Sequence, residues 1–167
     1  MAFKVNEQAV HPRHGIGRIV KLEARKFDEG AERQYYQLEI PTGIVWVQVE
    51  GSSSGLRQLI AQEDLASYRA LLASVPTPLA EDHRQRATAL ALRMKDGSFK
   101  ARCELVRDLT ACNWLKGLND SFSFMLRNVQ HALCAEWAVA AGLSIDQAMG
   151  EVNESLLEGR KLYEKSS

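Results

Sequence analysis

Apolar and polar positions alternate with a period of two over residues 3–50, as they do in β-strands that bury one face. The clearest runs span residues 34–40 and 44–49, and a turn from Pro41 to Gly43 separates them. Four or five short strands at this spacing predict a curled sheet or an SH3-like barrel rather than a βαβ unit.

A compact turn joins the first two of these strands. Residues 10–19 include Pro12, which cannot donate to a β-ladder, and two glycines, Gly15 and Gly17. Glycine can adopt a positive φ or let two backbones approach closely, and a sharply bent small barrel needs such positions. The segment therefore predicts the opening turn of a small β-barrel built for binding.

From about residue 62 the apolar period changes to that of helices. A short amphipathic helix carries Leu65 and Leu72, and it stops before Pro76 and Pro78, neither of which can continue a helix. Further helices are predicted over about residues 80–95, 99–115, 120–141 and 144–163.

The chain is therefore predicted to be an α+β protein of two domains. The barrel occupies residues 1–60, a helix and linker occupy residues 61–78, and a helical bundle occupies residues 79–167. The two prolines mark the expected junction between the domains.

Composition places the chain among ordinary soluble proteins. Hydrophobic residues make up 46% of the sequence and charged residues 25%. Because it has neither a membrane-spanning apolar run nor the apolar region of a secretory signal, we expect a cytoplasmic protein without membrane contact. The cysteines are Cys103, Cys112 and Cys134, and this odd count without metal-ligand spacing favours reduced structural thiols.

Residue patterns for catalysis or metal binding are few. The sequence contains no phosphate-cradling glycine loop, no nucleophile elbow and no zinc-binding His-Glu-x-x-His motif. His11 and His14 flank a proline turn without a third ligand, and His131 shares a helix face with Cys134 in a way that packing explains better. We therefore predict a protein that is not an enzyme, with no metal and no cofactor.

The net charge of zero conceals a basic segment in the helical half. Residues 83–107 carry seven Lys or Arg residues against two acidic ones, and a phosphate backbone responds to such a local field. Arg86 and Arg93 lie seven residues apart and so share one helix face, whereas Arg84 lies on another flank. A solvated helix face with interspersed cations is the alternative interpretation. The candidate phosphate-binding residues are Arg84, Arg86, Arg93, Lys95, Lys100 and Arg102.

Short motifs in a fixed order carry a resemblance to a known family. They are Phe3-Lys4-Val5, His11-Pro12-Arg13-His14-Gly15 with Gly17, Glu23, Tyr35-Tyr36 with Leu38, Gly55-Leu56-Arg57, Asp96-Gly97, Val106-Arg107-Asp108-Leu109 and Lys116-Gly117-Leu118. Each motif is weak alone, but their order and spacing together are specific. The chain resembles the CarD/CdnL family of bacterial transcription regulators along essentially its whole length. Its N-terminal part is also similar to the polymerase-binding domain of transcription-repair coupling factors.

The resemblance implies a Tudor-like N-terminal barrel that docks on the β subunit of RNA polymerase, partly by offering a strand edge. It also implies that the helical domain lies on promoter DNA at the upstream edge of the transcription bubble. There the family inserts a tryptophan into the minor groove, contacts the phosphate backbone and stabilises the open complex. We expect a monomer. The polymerase-binding residues that we expect are Arg25, Lys26, Phe27, Trp46 and Gln48.

Two positions depart from the family pattern. Counted back without gaps from Asp96, the position of the wedge tryptophan holds His83, and no tryptophan occurs from residue 47 to residue 113. Histidine can stack or donate in the groove, but it offers less apolar area than indole. The family's basic residue on the last barrel strand corresponds to Gln48, so that one docking cation, Arg25, stands in place of two.

Three functions remain open on the sequence. The leading one is a transcription regulator that acts on RNA polymerase and promoter DNA together, with His83 at the DNA. The first alternative is a polymerase-binding adaptor with weak or no wedge activity. The second is an enzyme or a small-molecule-binding barrel, which rests only on aromatic strand residues. Trp46 lies between Val45 and Val47, so it is either barrel core or an aromatic binding platform.

Overall fold

The computed structural model describes residues 3–26, 30–49 and 55–165, apart from the side chains of Tyr163 and Lys165. The chain divides into two compact units, residues 1–59 and residues 60–167. The first unit contains a β-sheet and the second is helical. The predicted α+β class with two domains is therefore confirmed.

Four antiparallel strands form the sheet in the order β1-β2-β3-β4. The register between β2 and β3 shifts between Ile19 and Lys21, an irregularity of the kind that a β-bulge produces. Next to β1, Arg57 and Val10 form an isolated bridge in which each backbone N–H donates to the other carbonyl, at 3.1 and 2.8 Å. The sheet thus has an irregularity in the pairing of β2 with β3 and a further paired segment beside β1. The strands span Gln8–His11 (β1), Gly15–Arg25 (β2), Arg33–Ile40 (β3) and Gly43–Gln48 (β4).

The two glycines of the opening turn have the roles that the sequence suggests. Gly15 has a φ of 76°, a left-handed conformation that glycine adopts without strain. At Gly17 an added Cβ would lie 2.7 Å from the side chain of Leu38 and 2.9 Å from the carbonyl oxygen of Glu39. The turn therefore requires glycine once for its conformation and once for close packing of β2 on β3.

One face of the sheet forms a small hydrophobic core. Ile19 and Leu38 are fully buried there, and Tyr36 and Val47 pack against them. Phe3 covers one end, because its backbone N–H donates to Tyr36 Oη at 2.9 Å and the two rings meet edge to face. The side chains on the opposite face of the sheet do not belong to this core.

Five α-helices and a preceding 3-10 turn make up the described part of the second unit. Asp82, Ser98 and Asn119 each accept a hydrogen bond from the backbone N–H three residues later, which caps the second, third and fourth helices. Ser144 and Gln147 form the predicted capping box of the last one. No helix in the described ranges is both long enough and apolar enough to cross a lipid bilayer. The elements span Gln62–Asp64 (3-10), Leu65–Leu72 (α1), His83–Asp96 (α2), Phe99–Leu115 (α3), Asp120–Ala141 (α4) and Ile145–Lys165 (α5).

The helix α1 belongs to the core of the helical unit rather than to a linker. Leu65 and Leu72 are buried in the same cluster as Trp137 of α4. The segment 61–78, predicted as a helix and linker, therefore lies within the second unit. The helix ends at Leu72, before the prolines as expected, and its apolar stripe is covered by packing within the helical unit.

Candidate functional site

The face of the sheet opposite to the core carries charged and aromatic side chains. The register places Tyr35 opposite Glu23 on β2 and opposite Gln48 on β4. Because side chains alternate between the two faces of a sheet, these residues share their face with Arg25 and Trp46. The sequence-predicted Arg25, Trp46 and Gln48 are thus brought together. We call this surface the outer sheet face, and it consists of Lys21, Glu23, Arg25, Tyr35, Gln37, Trp46 and Gln48.

Arg25 is held above Trp46 on the outer sheet face. Its guanidinium carbon lies 4.4 Å from the centroid of the indole ring, a cation–π contact. Glu23 lies 3.7 Å from Arg25 Nε and 3.4 Å from Lys21 Nζ. Glu23 also accepts a hydrogen bond from Gln37 Nε2 at 3.1 Å. Desolvation works against ionisation of Glu23, but the charges of Lys21 and Arg25 outweigh it and lower the pKa of this carboxyl group. The face therefore presents an oriented cation over an aromatic ring.

Trp46 belongs to the outer sheet face and not to the core. Val47 is buried and Val45 packs against the core cluster, whereas Trp46 is half-buried on the other side of the strand. Lys26 follows β2 and is exposed. Phe27 lies outside the described residues. Of the two roles that the sequence leaves open for Trp46, its place in the sheet favours the binding platform.

His11 has a structural role in the opening turn. Its Nδ1 accepts hydrogen bonds from the backbone N–H groups of Arg13, at 3.0 Å, and of His14, at 3.2 Å. Burial and then the charges of His14 and Arg13 lower the pKa of His11. A neutral imidazole therefore holds this turn. Within the described ranges, no three potential metal-ligating side chains come together to form a metal site.

His83 is the first residue of α2 and is exposed. Asp82 caps this helix by accepting a hydrogen bond from the backbone N–H of Gln85 at 3.0 Å. The imidazole ring lies 5.4 Å from the ring of Phe122, a buried residue in the first turn of α4. A helix N-terminus carries partial positive charge and favours nearby anions. His83 thus lies at an electropositive helix end, and its imidazole ring contacts the aromatic ring of Phe122.

Arg86 and Arg93 share one face of α2 as predicted, but that face points into the helical unit. Arg93 Nη2 donates to Asp108 Oδ2 at 2.7 Å. Arg86 Nε donates to the carbonyl oxygen of Ala80 at 2.8 Å, and its guanidinium carbon lies 5.8 Å from the ring of Phe122. The buried carboxylate of Asp108 requires a cationic partner, which accounts for the direction of Arg93. Arg93 is therefore an internal ion-pair partner, and we withdraw it from the candidate phosphate contacts.

Arg102 is also directed inward. Its Nη1 lies 3.7 Å from Glu136 Oε1, and only 14% of the Arg102 side chain is exposed. The other oxygen of Glu136 accepts the backbone N–H of Ile60 at 3.0 Å. Glu136 is fully buried, so that the cation beside it is needed for charge balance. We withdraw Arg102 from the candidate phosphate contacts as well.

Exposed cations remain on another flank of α2. Arg84 and Lys95 are exposed and lie eleven residues apart, close to three helical turns, so they form one line along the helix. Lys100 is exposed in the first turn of α3, just beyond the corner at Gly97. These residues do not depend on the buried carboxylates. We call His83, Arg84, Lys95 and Lys100 the α2 flank.

Sequence reasoning missed the two buried carboxylates that decide which arginines face inward. Asp108 is 1% exposed and Glu136 is 0% exposed. A signal for Asp108 was present, because the charged pair Arg107-Asp108 stands between Val106 and Leu109 in an otherwise apolar helix segment. Such a pair in a buried stretch indicates an internal ion pair. The pairing of Glu136 had no comparable local signal.

Comparison with known proteins agrees with both units. Residues 3–60 match the CarD-like/TRCF RID domain, and residues 69–153 match the CarD C-terminal domain. The chain is also similar to "Putative transcription factor YdeB" of Bacillus subtilis (strain 168), with 27% identity over 148 residues, which are 87% of this chain and 96% of that protein. Members of this family are transcription factors that interact with RNA polymerase, and they are not enzymes. With both domains matched in order along its length, the chain belongs to the CarD family of transcription factors.

Proposed function

We propose that this protein docks on the β subunit of RNA polymerase through the outer sheet face and contacts promoter DNA at the upstream edge of the bubble through the α2 flank. In this role it stabilises the open complex. The observation that carries the proposal is the exposed His83 at the start of α2, resting on Phe122 with the exposed Arg84 beside it. This is the position at which the family resemblance places the groove-inserting tryptophan.

The polymerase contact is argued from the outer sheet face. The guanidinium of Arg25 is already held over the indole ring before the polymerase binds. Side chains that are ordered in advance lose little conformational entropy on binding. Trp and Arg are also the residues that most often dominate the energetics of protein interfaces. Arg25 and Trp46 together therefore form the best-supported anchor for the polymerase.

Reversing the charge of Arg25 tests this dock. The Arg25→Glu variant is expected to bind RNA polymerase about tenfold or more weakly, because it removes the cation over Trp46 and places a second carboxylate beside Glu23. Binding is measured with the full-length chain and core RNA polymerase by biolayer interferometry.

Arg13→Glu is the matched control for the dock. It reverses one exposed charge in the same unit, in the turn beside His11 and away from the outer sheet face. Its affinity for the polymerase should stay within about twofold of the wild type. Equal losses in the two variants would point to net charge, and an unchanged affinity of Arg25→Glu would exclude this face as the dock.

The DNA contact is argued from the geometry of the α2 flank. Eleven residues at 1.5 Å each separate Arg84 from Lys95 by about 16 Å, the length of roughly five nucleotides on one strand. Such cations position a protein on the phosphate backbone without reading sequence. His83, at the end of this line, can then meet the distorted groove. A protein that binds the open complex tenfold more tightly than the closed one stabilises the open state by about 1.4 kcal/mol.

Removal of the two cations tests the DNA contact. The double variant Arg84→Ala/Lys95→Ala is expected to bind fork-junction promoter DNA more weakly on all sequences. The slope of log affinity against log salt should fall by about two, because two phosphate contacts are lost. Fluorescence anisotropy with labelled DNA over a potassium chloride series gives both values.

A second double variant, Arg127→Ala/Lys161→Ala, is the control for the DNA contact. It removes the same charge from exposed positions on α4 and α5. Its salt slope should match that of the wild type. If both double variants lose the same slope, the attraction is diffuse and the α2 flank is not the contact surface.

The polymerase-binding adaptor is the second candidate function. The observation that favours it is the inward direction of Arg93 and Arg102, which removes two cations from the surface available to phosphates. An adaptor of this kind binds polymerase through Arg25 but shows no salt-dependent affinity for fork-junction DNA. The salt series on the wild-type chain therefore distinguishes the two functions.

A further inference from the structure

A cavity of about 380 Å³ lies inside the helical unit, between the segment that follows α1 and the C-terminal halves of α3 and α5. Its volume falls in the range of sites that hold small organic molecules. The walls are mainly apolar, and they include Pro78, Leu79, Ala111, Cys112, Trp114 and Leu115. None of these residues belongs to the outer sheet face or to the α2 flank.

The apolar wall of this cavity is ordered and yet incompletely covered. Arg160 lies 4.6 Å from the ring centroid of Trp114 and holds the indole in place. Leu115, which closes the last turn of α3, is nevertheless 80% exposed. A single exposed leucine means little, but one at the rim of a preformed apolar cavity indicates surface that a ligand can cover.

The charges around the cavity favour an anion. The carboxylate of Asp108 at its floor is already compensated by Arg93 and Arg107. Arg160 and Glu164 pair at 2.8 Å and cancel each other.

The cation at the rim that can pair with a ligand is Lys116. Its Nζ lies 4.0 Å from Glu81 Oε1, and both side chains are well exposed. Such a long, solvated ion pair contributes little, so that Lys116 can exchange Glu81 for another anion at small cost. Arg86 adds a second cation to the lining.

We propose that this cavity binds a small amphipathic anion, a molecule with an apolar chain and one carboxylate. The chain would lie against Leu79, Ala111 and Trp114, and the carboxylate would pair with Lys116. A cavity of this size, with a mainly apolar lining and a cation at its rim, matches a medium-chain fatty carboxylate better than a polar metabolite.

The alkylation rate of Cys112 can report whether a ligand occupies the cavity. It lines the cavity and is half-buried, whereas Cys103 and Cys134 are fully buried. Burial raises the pKa of the Cys103 thiol, and it raises that of Cys134 to about 11. The thiolate is the reactive form, so an alkylating reagent reacts with Cys112 first.

The test measures the rate at which iodoacetamide alkylates Cys112 in the full-length folded chain, followed by mass spectrometry of intact protein and peptides. Decanoate, added below its micelle concentration, is expected to slow this rate by about fivefold at saturation, because a bound chain covers most of the cavity wall. Decyltrimethylammonium has a similar chain and the opposite charge, and it should leave the rate unchanged.

Two variants locate the site. Lys116→Glu should raise the decanoate concentration for half-protection by about tenfold, which corresponds to 1.4 kcal/mol. Ala111→Leu fills the cavity and should abolish protection, while its far-UV circular dichroism stays that of the wild type. The proposal is overturned if decanoate gives no protection, if both amphiphiles protect equally, or if either variant is protected as the wild type is. If this surface binds only a macromolecular partner, decanoate will give no protection.

Discussion

The Asp108→Asn variant is expected to unfold with a free energy about 3–5 kcal/mol below that of the wild type. Asp108 accepts hydrogen bonds from Arg93 Nη2 at 2.7 Å, from Arg107 Nε at 2.8 Å and from the backbone N–H of Thr77 at 2.9 Å. The amide has no charge, so Arg107, whose side chain is 9% exposed, becomes a buried cation without its partner. Urea unfolding, followed by the helical signal in far-UV circular dichroism, measures this decrease in the free energy of unfolding.

Glu151→Gln is the control for Asp108→Asn. It makes the same carboxylate-to-amide change in an ion pair with Arg69, whose side chain is 44% exposed. Because solvent screens this pair, the expected loss is below about 1 kcal/mol. Similar losses in the two variants would mean that the charge of Asp108 is not what holds the helical unit together.

The second large effect is expected at the contact between α5 and the end of α1. A Cβ on Gly159 would lie 2.6 Å from the carbonyl oxygen of Ala73 and 2.8 Å from its Cα. These are backbone atoms, so one helix must move away from the other. Gly159→Ala should therefore lower the free energy of unfolding by about 1–3 kcal/mol, although alanine favours the helix itself.

Gly150 provides a matched comparison in the same helix. Apart from its chain neighbours and the adjacent backbone of its own helix, no atom of the described residues lies within 4 Å of the place where its Cβ would be. Gly150→Ala should therefore stabilise the protein by about 0.5–1 kcal/mol, because only the helix-propensity effect remains. The two glycine variants thus have opposite expected signs in thermal or urea unfolding. Stabilisation by both would show that α5 does not pack on α1 at Gly159.

The elements of the helical unit could be predicted well because their signals are local. Ser98 caps α3 and Gly142 ends α4 in a left-handed conformation, so the bounds predicted for these two helices agree with the structure. The place of α1 could not be predicted in the same way. Its prolines suggested a linker, while the partners of Leu65 and Leu72 are more distant in sequence.

The candidate DNA-binding surface was only partly predictable. Helical spacing correctly put Arg86 and Arg93 on one face, but spacing does not tell which face is solvated. That depends on Asp108, which is 15 residues from Arg93 and on another helix. For the outer sheet face, the resemblance named Arg25, Trp46 and Gln48, but the sequence left open whether Trp46 lies in the core, because the register between the strands was not known. The stacking of Arg25 on Trp46 is a contact between strands that no single strand pattern contains.

The inward direction of Arg93 has a consequence for genetics. A substitution at Arg93 disturbs a buried ion pair, and a loss of one or two kcal/mol lowers the amount of folded protein in a cell several-fold. If the proposed DNA contact is correct, a substitution at the exposed Arg84 should leave the folded amount unchanged and alter promoter occupancy instead. Loss-of-function alleles within this single basic helix should therefore fall into two classes. Under the proposed function, overexpression should rescue the first class, and only restored DNA contact should rescue the second.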